Sequence, residues 1–111
     1  MGVVDDADLF VDYAAPLSTR DLERLLDRVD AALSVDEVPE QEVLRLWMGT
    51  ATASRPVQNA VGPLYGLLDD WHERAAPEVA LRGQMAVAAR RARTVLGKER
   101  RHSGERRPDQ R

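Results

Sequence analysis

The side chains best suited to chemistry crowd into one short stretch of this 111-residue sequence, Asp69-Asp70-Trp71-His72-Glu73. On a helix, Asp69, His72 and Glu73 fall at i, i+3 and i+4, a spacing that can present two carboxylates and an imidazole to a divalent cation. A helical di-metal centre needs that motif twice and two further carboxylates, and the other histidine, His102, lies far along the chain. One histidine among acids at a helix end reads as a solvated face, so no metal or cofactor is expected. The absence of cysteine excludes disulfides, zinc ribbons and thiol catalysis. There is no nucleophile with a base and an orienting acid, and Gly62, Gly66 and Gly83 are too dispersed to form a phosphate loop. The expectation is a protein that is not an enzyme and has no evident small-molecule substrate.

Charge is the stronger signal. The net charge of −3 conceals a split, −10 over residues 1–80 and +7 over residues 81–111. The candidate anion or partner contacts are Arg82, Arg90, Arg91, Arg93, Lys98, Arg100, Arg101, Arg106 and Arg107. Guanidinium forks match phosphate oxygens and carboxylates in bidentate geometry, so this set suits either an external anion or the chain's own acidic body. No aromatic residue is interleaved with the arginines to stack on bases. The apolar face of the same segment is built around alanine, which favours close helix packing over insertion into lipid.

These residues require elements to position them, and the composition selects helices. Hydrophobic residues make up 43% and charged residues 32%, with only two Trp, two Tyr and one Phe, so a core must come from Leu, Val and Ala. Residues 1–17 form an acidic arm, a short docking helix or a loose segment. The opening MGVVDDADLFVDY has no basic and then apolar run, so it is not expected to be a signal peptide. Ser18 with Asp21 three residues on predicts a helix start, and Leu22, Leu25, Leu26, Val29 and Leu33 carry a helix over 19–34. Pro39 opens a second helix in which Val43, Leu44, Leu46, Trp47 and Met48 are broadly apolar, and Gly49 is expected to end it in a left-handed conformation. Ser54 is a candidate cap for a third helix bearing Val57, Val61, Leu64, Leu68 and Trp71, in which Pro63 predicts a kink near Asn59, favoured over two short helices because the apolar phase survives. Ala75-Ala76-Pro77 separates it from a fourth helix with Leu81, Met85, Ala88, Ala92, Val95 and Leu96 on one face. Trp47 is expected in the core with these residues.

The fold expected is all-α, a small bundle of about four helices over residues 18–101, followed by a disordered basic tail at 102–111. Two short patterns resemble known families. Trp47-Met48-Gly49 resembles the turn of the WXG-type secreted helical-hairpin proteins, and Tyr65-Gly-Leu-Leu-Asp69 resembles their Y-x-x-x-D secretion signal. That resemblance implies two long uninterrupted helices, which Pro39, Pro56, Pro63 and Pro77 would break. Glu42-Val43-Leu44-Arg45-Leu46 is similar to the opening of a helix-turn-helix, but the next segment, with Pro56 and Gly62-Pro63, makes a poor recognition helix. The favoured reading is a noncatalytic, cytoplasmic, bacterial interaction module that docks a protein partner or a second copy of itself through its charge-split surface. The alternatives are nucleic-acid association through the arginines and a secreted hairpin. No membrane span is expected.

Overall fold

The structure, a computed structural model, describes residues 9–74 and 77–105, with side chains described as far as Arg101. Among them are four helices, α1 (Thr19–Ser34), α2 (Glu40–Gly49), α3 (Arg55–Arg74) and α4 (Glu78–Glu105), and no strand. Each helix packs on the next, and α4 returns to α1. The side-chain contacts give the directions. Asp36, Asp27 with Asp30, and Glu23 on or near α1 meet Arg82, Arg93 and Arg100 of α4 in reverse order. On α2 and α3, Glu40 meets His72 while Trp47 meets Tyr65. The neighbours are therefore antiparallel, as connections of only a few residues require.

Local sequence accounts for the first helix in detail. The Ser18 Oγ accepts the Asp21 N–H at 3.1 Å, the N-cap bond read from the Ser-x-x-Asp spacing. At the other end Glu37 N–H donates to the Ala32 carbonyl at 2.9 Å and Asp36 N–H to that of Leu33 at 3.1 Å. These paired bonds define a Schellman cap, and Asp36 takes its left-handed position with φ 61°. Aspartate tolerates that region better than most side chains, though less well than glycine.

The core collects Leu22, Leu25, Leu26 and Val29 of α1, Val43 and Leu46 of α2, Val61, Leu64 and Leu68 of α3, and Leu81, Met85, Ala88, Ala89, Ala92 and Leu96 of α4. Leu9 of the N-terminal arm joins them, so residues 9–15 are docked and not loose. Leu33 and Trp71 are only partly buried, as is Val95.

Two expectations about helix ends are corrected. Gly49 does not end α2 in the left-handed region, since no glycine among the described residues has positive φ. The last carbonyls of α2 are satisfied otherwise. Trp47 O accepts from both the Thr50 N–H and hydroxyl, Gly49 O accepts the Leu17 N–H at 3.2 Å, and Gln58 Nε2 bonds the carbonyls of Thr50 and Ala51. Helix α3 runs through Gly62-Pro63 as one helix and not two short ones, as the surviving apolar phase favours, with Val61 and Leu64 on either side fully buried in one helical register. Ser54 stands immediately before α3, where its carbonyl accepts the Gln58 N–H at 3.0 Å and its hydroxyl donates to Glu99 across the bundle at 3.3 Å. Finally, α4 continues through Glu105, past the end expected near Arg101. The turn at residues 98–101 is made of good helix formers and is tied to α1 by Arg100, and the helix propagates from it through residues 102–105 although Ser103 and Gly104 are weaker formers. Residues 1–8, Ala75, Ala76 and 106–111, with the remainder of the expected tail, lie outside the described residues.

Candidate functional site

The arginines of α4 divide into two sets. One set faces α1 and is satisfied within the chain. Arg93 bridges Asp27 at 2.9 Å and Asp30 at 2.8 Å, Arg82 holds Glu78 at 2.8 Å and reaches Asp36 at 3.7 Å, and Arg100 reaches Glu23 at 3.6 Å. Partial burial alone would lower the Arg93 guanidinium, but hydrogen bonds to Asp27 and Asp30 and their charge outweigh it and hold the group above its ordinary value. The other set, Arg90, Arg91, Lys98 and Arg101, is exposed and makes no ion pair among the described residues. Arg106 and Arg107 lie outside those residues. Of the seven α4 cations with described side chains, three are thus used within the chain and four are presented outward.

Asp69, His72 and Glu73 are exposed at the far end of α3, where His72 Nε2 lies 3.3 Å from Glu40 Oε2 on α2. No three potential ligands converge on a metal position among the described residues.

Helix α2 presents two apolar stripes. Val43 and Leu46 recur at helical spacing and point into the core. Leu44, Trp47, Met48 and Ala51 recur at the same spacing on another side, and that side faces outward. Leu44 and Trp47 are each 37% exposed and Met48 is 38% exposed, so the expectation that Leu44 and Trp47 lie in the core is corrected. The remaining side of α2 is already taken. Arg45, only 2% exposed, donates from Nε to the Leu9 carbonyl and from a terminal nitrogen to that of Tyr13 at 3.0 Å, which ties the arm to α2. With the core on one side and the arm on another, no helix remains to cover Leu44, Trp47 and Met48.

The exposed stripe is ordered by aromatic packing. Trp47 stacks on Tyr65 of α3 with ring centroids 5.5 Å apart and planes 13° from parallel. The indole also packs over Gly62, one turn before Tyr65, where a β-carbon would make ordinary contact with it at 3.5 Å. Shallow clefts open on both sides of the stacked pair, one bounded by Ala14, Met48 and Ala51, the other by Glu40, Leu44 and Asp69. The two residues behind the WXG resemblance, Trp47 and Tyr65, therefore meet as one surface feature. The ring of four helices, with Trp47 on a ten-residue helix, differs from the two-helix hairpin which that resemblance implies.

A buried arginine with only backbone carbonyls as partners was not legible in the sequence, because Arg45 sits in an ordinary-looking helical string. The outward stripe left a trace in the apolar breadth of residues 43–48.

Among the described residues no helix is long and apolar enough to cross a membrane. No family model matches the chain, and neither the curated proteins nor the solved structures searched contain a match.

Proposed function

We propose that the protein is a noncatalytic helical interaction module, an adaptor, subunit or regulator that docks a protein partner or a second copy of itself. The observation that carries the reading is the ordered, outward-facing stripe of Leu44, Trp47 and Met48 beside Tyr65. A fold of this size seldom leaves three large apolar side chains contiguous and exposed unless something covers them. Tryptophan and tyrosine dominate binding energy at protein interfaces, because they bury a large area with few rotatable bonds. A cytoplasmic setting belongs to the proposal and rests on the charged, cysteine-free composition.

The test is the double substitution Leu44→Glu and Met48→Glu, which charges the stripe and leaves the buried face of α2 intact. Circular dichroism should show an unchanged fold. Sedimentation velocity or affinity capture from the native host should show a self-association or a specific complex that the variant loses. A strictly monomeric protein whose captured partners are the same for wild type and variant would overturn the reading.

A second reading, nucleic-acid association, keeps Arg90, Arg91, Lys98 and Arg101 as phosphate contacts. It predicts affinity for random duplex DNA that falls steeply with salt.

A further inference from the structure

The α3–α4 side of the bundle carries a second unfilled surface, distinct from the α2 stripe. A continuous groove runs between the two helices from Pro56 and Asn59 past Ala60, Pro63 and Leu67 to Asp70, faced across by Val95, Arg91, Ala88, Val87 and Gln84. Its floor is apolar, and Val87 on its lip is 45% exposed. The α3 wall from Pro56 to Asp70 is about 21 Å long at helical rise, room for roughly four turns of a third helix lying in the trough.

Of the exposed α4 cations Arg91 lines the groove, Lys98 follows two turns on along the same helical stripe, and Asp70 stands at the far end of the α3 wall. Arg90, Arg91, Lys98 and Arg101 are exposed and without an ion-pair partner among the described residues, unlike Arg82, Arg93 and Arg100 on the α1 side of the same helix. The only acid on α4 between Arg82 and Arg101, Glu99, is turned to Ser54.

Glycine adds a third observation. Gly66 of α3 and Gly83 of α4 line the groove on opposite walls, and a β-carbon at either would meet nothing within 4 Å. Glycine inside a helix costs stability relative to alanine, and here no packing within the chain accounts for that cost. Gly49 and Gly62 differ, since each lies under a side chain of the chain itself.

We propose that the α3–α4 groove binds an acidic amphipathic helix of a partner protein, with apolar side chains seated along Ala60, Pro63, Leu67 and Val87 and carboxylates meeting Arg91 within the groove and Lys98 at its Pro56 end. Charge complementarity selects this occupant. A second copy docking by the same face would set cation against cation across a two-fold axis. Nucleic acid has no use for the apolar floor, and the groove offers no aromatic ring on which a base would stack.

The probe is a fluorescein-labelled synthetic helix of about four turns, with leucine along one stripe and glutamate on both flanks. Its control carries lysine for glutamate. Fluorescence anisotropy with the full chain in about 50 mM salt should show saturable binding of the glutamate peptide alone. Arg91→Glu with Lys98→Glu should weaken it at least about tenfold, with an unchanged circular dichroism spectrum. Gly66→Ala with Gly83→Ala should raise Tm by roughly 4 °C and yet weaken binding severalfold, a pairing that a purely structural role for these glycines would not produce. The Leu44→Glu and Met48→Glu variant should bind the peptide normally, so failure here is separable from failure of the α2 reading. Absence of peptide binding, or binding indifferent to both groove variants, overturns the proposal. So does duplex DNA binding abolished by Arg91→Glu and Lys98→Glu while the peptide stays unbound, which assigns the cations to phosphates. A dimer dispersed by the same substitutions, again without peptide binding, overturns it in favour of self-association.

Discussion

Gly49 shows how a residue chosen for one apparent reason serves another. Its position after an apolar run suggests a left-handed stop, but its backbone stays helical and its value lies in having no side chain. A β-carbon there would stand 2.5 Å from Leu17 Cδ1 and 2.7 Å from Leu17 Cγ. The absence of that carbon lets Leu17 and the chain entering α1 close against the end of α2, where Leu17 N–H bonds the Gly49 carbonyl. Gly49→Ala should therefore destabilise the protein, by about 1–2 kcal/mol in urea denaturation, since overpacking forces neighbours off their preferred rotamers. Leu17→Ala in the same chain should recover part of that loss, and a double-mutant cycle showing simple additivity would disprove the contact. Arg45, one turn earlier, obeys a related logic. Its buried guanidinium is matched to carbonyls of the arm, an arrangement that leaves neither charge nor carbonyl without a hydrogen bond.

Helix ends are where local sequence had most to say, and where its limits are visible. The Ser18 cap is a short-range bond between residues three apart and was readable for that reason. The end of α1 is equally local, but Asp36 in the left-handed position is an uncommon choice that propensity does not single out. Asp36→Gly should stabilise the protein by up to about 1 kcal/mol in thermal unfolding, because glycine adopts that conformation without a β-carbon penalty. Loss of the 3.7 Å contact from Arg82 to Asp36 subtracts little, since the aspartate is largely solvated. A fall in Tm would show that the ion pair outweighs the backbone term. In α3 the continuing apolar phase, and not the local rule for proline, decided the outcome at Pro63. Proline disfavours a helix interior, but burial of Val61 and Leu64 outweighs the lost hydrogen bond.

Across the whole molecule, the antiparallel closure of α4 on α1 brings the basic half of the chain onto the acidic half. Arg93 is the centre of this clamp, with Asp27 and Asp30 one turn apart on α1. Because the three side chains are substantially exposed, Arg93→Met should cost only about 0.5–1 kcal/mol at low salt, shrinking in about 1 M NaCl. The pH dependence follows from the direction of its shift. A cation held above its ordinary value stabilises the fold at every pH below that value and stops doing so only as pH rises through it. The difference between wild type and Arg93→Met should therefore be flat from about pH 6 to pH 9. A steep change within that window would implicate another group.

The four helices, the position of α1 and most of the core were determined by the sequence alone, because helical periodicity and the Ser18 cap act over a few residues. Which arginines of α4 are used internally was decided only by the tertiary structure. Arg93 and Arg91 are two residues apart in sequence, but helical geometry turns one to Asp27 and Asp30 and the other to the groove beside Pro63. The fate of Trp47 was decided in the same way. Its apolar stripe reads as core in sequence, and it stays outward because α1, α3 and the arm already occupy the other sides of a ten-residue helix. Periodicity says which residues share a face, but only the number and placement of neighbouring elements says whether that face is covered.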